Sequence, residues 1–238
     1  MEENNETTPT TPTTPTEATA ATTKKPTLAE RMNSRRVLIT NLTADEGLKV
    51  RVLEFGFDEE SLAFGKSKYD EGILAIQEKD ELYGEFYKVT ERLNEKAVEA
   101  FGIYREDLTL AKRALRGLPD LKDKLGIKKS SARSFAQRIK DARRFYLTAT
   151  ADTELLEKLT KFNLTLEKLQ NHLTLIEEIE TLDALQEDLR GKAQIATKER
   201  DLVLKELFDW ASDLVAVCRI AFKAELQTLE RLGIMIPS

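Results

Sequence analysis

Residues 164–190 read LTLEKLQNHLTLIEEIETLDALQEDLR, without a glycine or proline, and only Gly191 interrupts the chain before Gly233. No strand-and-turn architecture tolerates such a run, because turns draw on Gly, Pro, Asn and Asp. The stretch predicts one long helix. At 1.5 Å per residue, a run of roughly 55–60 residues would span about 85–90 Å. Its second half carries an apolar stripe: Leu204, Leu207, Phe208, Ala211, Leu214, Val215, Cys218, Ala221 and Phe222 recur at spacings of mostly three and four.

Sliding the chain against itself by 107 residues places this helix on an earlier copy. Thr43-Ala44-Asp45 falls on Thr150-Ala151-Asp152, and Leu125-Gly126-Ile127 on Leu232-Gly233-Ile234. Between them Phe55 meets Phe162, Thr90 meets Thr197, and Phe101 meets Phe208, without a gap. Such self-similarity predicts a tandem duplication. Unit 1 is expected over 27–127 and unit 2 over 134–238, joined by a basic linker at 128–133. Each unit is predicted to hold two short helices and one long one, in an all-α, elongated bundle with shallow, coiled-coil-like crossing about a pseudo-twofold axis. Asp45 and Asp152 are candidate N-caps of the second helix, and Asp58 and Thr165 of the long one. Gly56 and Asn163 fall where a left-handed residue would end the second helix. Gly65, Gly72, Gly84 and Gly102 predict a bend or break in the long helix of unit 1.

The Gly84/Thr90 and Gly191/Thr197 spacing and the closing Leu229-Glu230-Arg231-Leu232-Gly233-Ile234 resemble a group of bacterial all-helical proteins built from two tandem units. The resemblance covers nearly everything after residue 26. It implies a bacterial origin and the duplicated architecture, and no activity, cofactor or partner.

Composition narrows the function classes. The chain has 238 residues, 33% of them charged, with 10 Gly and 6 Pro. Residues 1–26 are rich in Thr and Pro, with no large aliphatic or aromatic side chain between Met1 and Leu28, and are expected to be a disordered tail. A single cysteine, Cys218, excludes an internal disulfide, and no apolar run is long enough to span a membrane. With no signal peptide either, a cytoplasmic protein is expected. The net charge of −5 makes no global case for nucleic acid.

No catalytic, cofactor-binding or metal-ligating pattern stands out. The lone His172 lacks a Glu three residues before it, where a carboxylate-bridged metal bundle would place one; position 169 is Leu. Cys218 reads as a small core residue, matched by Ala111 in unit 1. Phe208 and Trp210 read as core or inter-unit packing. The sequons at Asn41 and Asn163 read as products of chance and the repeat. Asp107, opposite Leu214 in the register, is expected at an edge of the apolar stripe or paired with a base.

The one candidate surface is the segment 122–144. Lys122, Lys124, Lys128, Lys129, Arg133, Lys140 and Arg144 form a possible interaction surface; with Arg138 and Arg143 they oppose only Asp123 and Asp141. Such a cluster can neutralise phosphates. Docking of the short basic helix on acidic blocks of the long helices is the favoured alternative, with Arg138 and Arg143, and Arg31 and Arg36 in unit 1, expected to meet acidic residues. The function expected is therefore a non-enzymatic scaffold or self-assembly protein with a protein partner. Nucleic-acid or anionic-surface binding through 122–144 is the second reading.

Overall fold

The computed structural model describes residues 25–127 and 134–235. The linker 128–133 and nearly all of the tail, with the expectations attached to them, lie outside the described residues. Among the described residues the fold is all-α. The first half holds α1 (Leu28–Ala44), α2 (Glu46–Leu53), α3 (Glu59–Ala114) and α4 (Pro119–Lys124). The second holds α5 (Phe135–Ala151), α6 (Thr153–Thr160), α7 (Leu166–Ala221) and α8 (Leu226–Arg231). Every element of the second half begins and ends 107 residues after its counterpart, from Leu28 and Phe135 to Arg231 and Lys124.

Local chemistry sets these boundaries. Asp45 accepts hydrogen bonds from the Gly47 and Leu48 amides, and Asp152 from that of Leu155, so each caps the helix that follows. Asp58 and Thr165 cap α3 and α7 through the Ser61 and Lys168 amides. Gly56 (φ 87°) and Asn163 (φ 65°) take the left-handed conformation after α2 and α6. The long helices stop before the Leu-Gly-Ile segments, and the expected count of three helices per unit is one too few. Gly117, at φ 85°, breaks the chain after α3, and Pro119 opens α4 at a position where its missing N–H costs nothing. Gly126 and Gly233 then follow the short α4 and α8 at φ 75° and 70°.

Helix α3 is continuous over 56 residues, so the expected break does not occur. A helical glycine costs about 1 kcal/mol, which packing can offset. Gly72 lies beneath Leu204 and Met32, and the ring of Trp210 rests where a side chain on Gly65 would project.

Helices α3 and α7 run antiparallel. Lys68 pairs with Glu206, Arg92 with Glu178, and Asp107 with His172, so positions fall along α7 as they rise along α3. Each helix is about 84 Å long, and contact over such a length requires a shallow crossing. The core divides between the two ends of this pair. One end joins Leu38, Leu42 and Val52 to Leu214, Cys218, Phe222 and Leu232. The other joins Phe101, Ala111 and Leu125 to Phe145, Tyr146, Leu159 and Ile176. Each core thus draws on both halves of the chain.

Leu207, Leu214 and Cys218 are fully buried as the stripe predicts. Phe208 is only half-buried, whereas its counterpart Phe101 is 3% exposed. The cause is the neighbouring cap: Phe135 packs edge-on against Phe101 at 5.7 Å between centroids, while the matching position over Phe208 carries the smaller Leu28.

Candidate functional site

Part of the basic segment makes structural contacts. Lys124 pairs with Asp152, the cap of α6, and this partner holds the Asp152 carboxyl below its ordinary range. Arg231 and Asp45 form the matching pair in the other half. Arg143 reaches Glu180 at 3.5 Å and Glu177 at 4.0 Å, which is the expected docking of a basic helix on an acidic one. Among the described residues Arg138 does not meet an acid. Its guanidinium lies 3.9 Å from the centroid of the Phe101 ring, and Arg31 lies 3.7 Å from that of Phe208. A planar, weakly hydrated cation gains from an aromatic face at this distance, and the rings stand nearer these arginines than the acidic blocks do. Arg36 donates to Asn33 Oδ1 at 2.9 Å rather than to a carboxylate.

Of the seven residues of the candidate surface, Lys140 and Arg144 are exposed on α5, and Lys122 is half-buried on α4. Arg144 lies along Gly126, with its Nε 3.4 Å from where a Cβ would stand. Lys128, Lys129 and Arg133 lie outside the described residues.

Sequence reasoning missed a polar cluster. Asp107, from α3, is 4% exposed. Its Oδ2 accepts from Tyr146 Oη of α5 at 2.8 Å and stands 2.7 Å from His172 Nδ1 of α7. An oxygen of a carboxylate accepts, so Nδ1 carries the proton in this arrangement. Burial first, then the Asp107 charge, pushes the Tyr146 phenol far above its ordinary value, so it remains a donor. Tyr104, packed at 5.9 Å between ring centroids, is pushed up to about 12 by burial and then by Asp141. The cluster ties three helices together at one point. The signal in the sequence was Asp107 on an apolar stripe; its partners lie 39 and 65 residues away, beyond any local pattern. Asp107 is paired with a base, as one of the two expectations had it, but deep in the core rather than at its edge.

The remaining candidates are structural. Cys218 is fully buried, and burial pushes its thiol up to about 11, which suppresses the reactive thiolate. Trp210 is half-buried, with Nε1 donating to Ser61 Oγ at 3.3 Å. Asn41 donates to the Arg231 carbonyl, tying α1 to α8. Among the described residues, no helix is long and apolar enough to cross a membrane, and no group of three or more His, Cys, Asp or Glu side chains is placed to hold a metal ion. No family model matches the chain, and neither a curated protein nor a solved structure does.

Proposed function

We propose that the chain is a non-enzymatic, rod-shaped interaction protein of the cytoplasm, built by tandem duplication of a helical unit and working as a scaffold or by self-assembly. The duplication is supported by the constant 107-residue offset of all four helix pairs. It is supported again by paired contacts that the offset interchanges: Arg31 on Phe208 with Arg138 on Phe101, and Arg231–Asp45 with Lys124–Asp152. A pseudo-twofold axis across the middle of the α3–α7 pair accounts for both.

The observation that carries the functional reading is how the charged and nucleophilic groups are spent. Asp107 and Tyr146 are buried in the core and bond to each other there, with the half-buried His172 closing on Asp107 from its edge, and Cys218 is sealed in the core. What the molecule presents outward is length and two chemically distinct ends. The test is affinity capture of the full chain from its host, read for protein and for nucleic acid. A stoichiometric protein partner, or the chain itself, supports the reading. Polarisation titrations with duplex DNA and single-stranded RNA are expected to stay flat. Tight, salt-sensitive binding lost on reversing Lys128 and Lys129 to Glu would replace the scaffold reading with a nucleic-acid binder.

A further inference from the structure

Helix α1 seats in the groove between α3 and α7 and stops short of its middle. Met32 lies over Gly72, while Leu38 and Leu42 join Leu62 in the core at the end. Helix α1 therefore runs antiparallel to α3, with Leu28 nearest the middle. Leu28 and Met32 share an apolar cluster with Tyr69, Ile73 and Ile76 of α3 and Leu204 of α7. The same line of α3 continues past Leu28, at alternating spacings of four and three, through Asp80, Tyr83 and Tyr87. On α7 it continues seven residues before Leu204, at Thr197. These four side chains, with Lys79 and Gly84, line an open groove of about 540 Å³. Between Gly72 and Leu93 no residue of α3 is buried, and Tyr87 is 63% exposed.

What α1 leaves uncovered is aromatic. The rings of Tyr83 and Tyr87 stand 6.1 Å apart between centroids, and Phe86 flanks Tyr87 at 5.4 Å. Gly84 keeps the floor low: nothing stands within 4 Å of where its Cβ would be, so a ligand can approach bare backbone. The positions 107 residues later carry Glu187, Arg190 and Gln194, so the helix pair does not require aromatic residues there. Helix α1 does not grow into the groove, because Pro26 precedes its Thr27 cap and biases Lys25 away from helix. The chain that leads into the groove is instead the tail, whose Pro9, Pro12 and Pro15 recur at every third residue. A polyproline II helix has three residues per turn, so these prolines would share one side at intervals of about 9 Å. Aromatic-lined grooves accept that form. We infer that residues 8–16 dock as a polyproline II helix in the α3–α7 groove, across Tyr83, Gly84 and Tyr87. Tyr87 lies about 16 Å along α3 from Ile76, beside the start of α1. Eleven residues separate Pro15 from Thr27, and even a flexible chain of that length spans about 17–20 Å. Such a tether holds the prolines near the rings at about millimolar effective concentration, so a weak contact suffices. The contact is internal and does not rest on the scaffold reading.

The test is paramagnetic relaxation in the full chain. Cys218 is the single cysteine and is sealed in the core, so a nitroxide on Thr13→Cys, off the proline side, is the one label. Its broadening of backbone amides is read in the otherwise wild-type chain, with Pro9→Ala, Pro12→Ala and Pro15→Ala combined, and with Tyr87→Ala. Broadening is expected to centre on the amides of Tyr83, Gly84 and Tyr87, and most of it is expected to be lost in both variants. Tyr87 is exposed, so its variant is expected to melt as the wild type does. Broadening spread evenly around Thr27, or centred on another surface, overturns the inference, as does a pattern at Gly84 that either variant leaves unchanged. Broadening passed from labelled chains to isotope-labelled ones in a mixed sample overturns it too, and makes the occupant the tail of a second copy.

Discussion

At one end of the molecule Ile39, Leu214 and Gly65 hold the positions that Tyr146, Asp107 and His172 hold at the other. The backbone is laid out alike in both places, and the side chains solve the packing differently. The apolar end lets Trp210 lie over the bare backbone of Gly65. The polar end fills the same place with His172 and satisfies a buried carboxylate from two sides. The comparison teaches that the fold does not need the polar cluster, because the same three positions at the other end carry no hydrogen-bonding side chain. Buried polar groups cost free energy unless fully paired, so the cluster stabilises the structure only while intact.

The largest difference between the ends is expected at the paired phenylalanines. Phe101→Ala removes a buried ring and should cost about 3–5 kcal/mol. Phe208→Ala removes a half-exposed one and should cost about 1–2 kcal/mol. Denaturant titration of both variants measures this, and equal losses would show that exposure in the folded state does not govern the cost.

Next comes the polar cluster. Asp107→Ala strands the Tyr146 hydroxyl and the His172 imidazole, at a cost of about 2–3 kcal/mol. Converting that end toward its counterpart, with Asp107→Leu and Tyr146→Phe together, should recover most of the loss. A double variant less stable than Asp107→Ala alone would show that the polar end cannot be rebuilt on the apolar pattern.

A smaller effect separates two glycines of α3. Gly65→Ala drives a methyl group into Trp210 and should cost about 1–3 kcal/mol. At Gly84 nothing lies within 4 Å of the added Cβ, and Gly84→Ala should stabilise by up to about 1 kcal/mol. Melting curves shifted in the same direction by both substitutions would contradict the assigned contacts.

The smallest effect tests the likeness of the ends. Asp45 and Asp152 are held below the ordinary carboxylate range, chiefly by Arg231 and Lys124, with help from backbone amides. A depressed folded value stabilises above the unfolded one, and that stabilisation disappears as the pH falls through the folded value. Asp45→Asn and Asp152→Asn keep a capping oxygen but lose the charge. Each should flatten the acid limb of the stability profile by a similar amount. A flattening confined to one variant would show that the two caps are not equivalent.

The sequence was most legible where the physics is local. Asp45, Asp58, Asp152 and Thr165 could be read as caps because a capping side chain acts on amides two or three residues away. Gly56 and Asn163 could be read as turn residues because few side chains accept positive φ. The length of α7 followed from the missing breakers. Local reasoning failed where cost and compensation are far apart in the chain. Gly65 and Gly72 suggested a break in α3, but the compensating contacts come from Trp210 and Leu204 on the opposite helix. Arg31 and Arg138 were expected to seek carboxylates, and the rings they cover lie in the other half of the chain.

By itself, then, the sequence determined three of the four helices in each half, their caps, their order and the 107-residue likeness of the two halves, because each depends on interactions within a few residues or on matching one segment with another. Only the tertiary structure decided that α3 and α7 run antiparallel and that each core draws on both halves. It alone brought Asp107, Tyr146 and His172 into one cluster. These depend on which faces meet across separations of tens to more than a hundred residues, and a helical stripe fixes which residues turn inward without fixing what they turn toward.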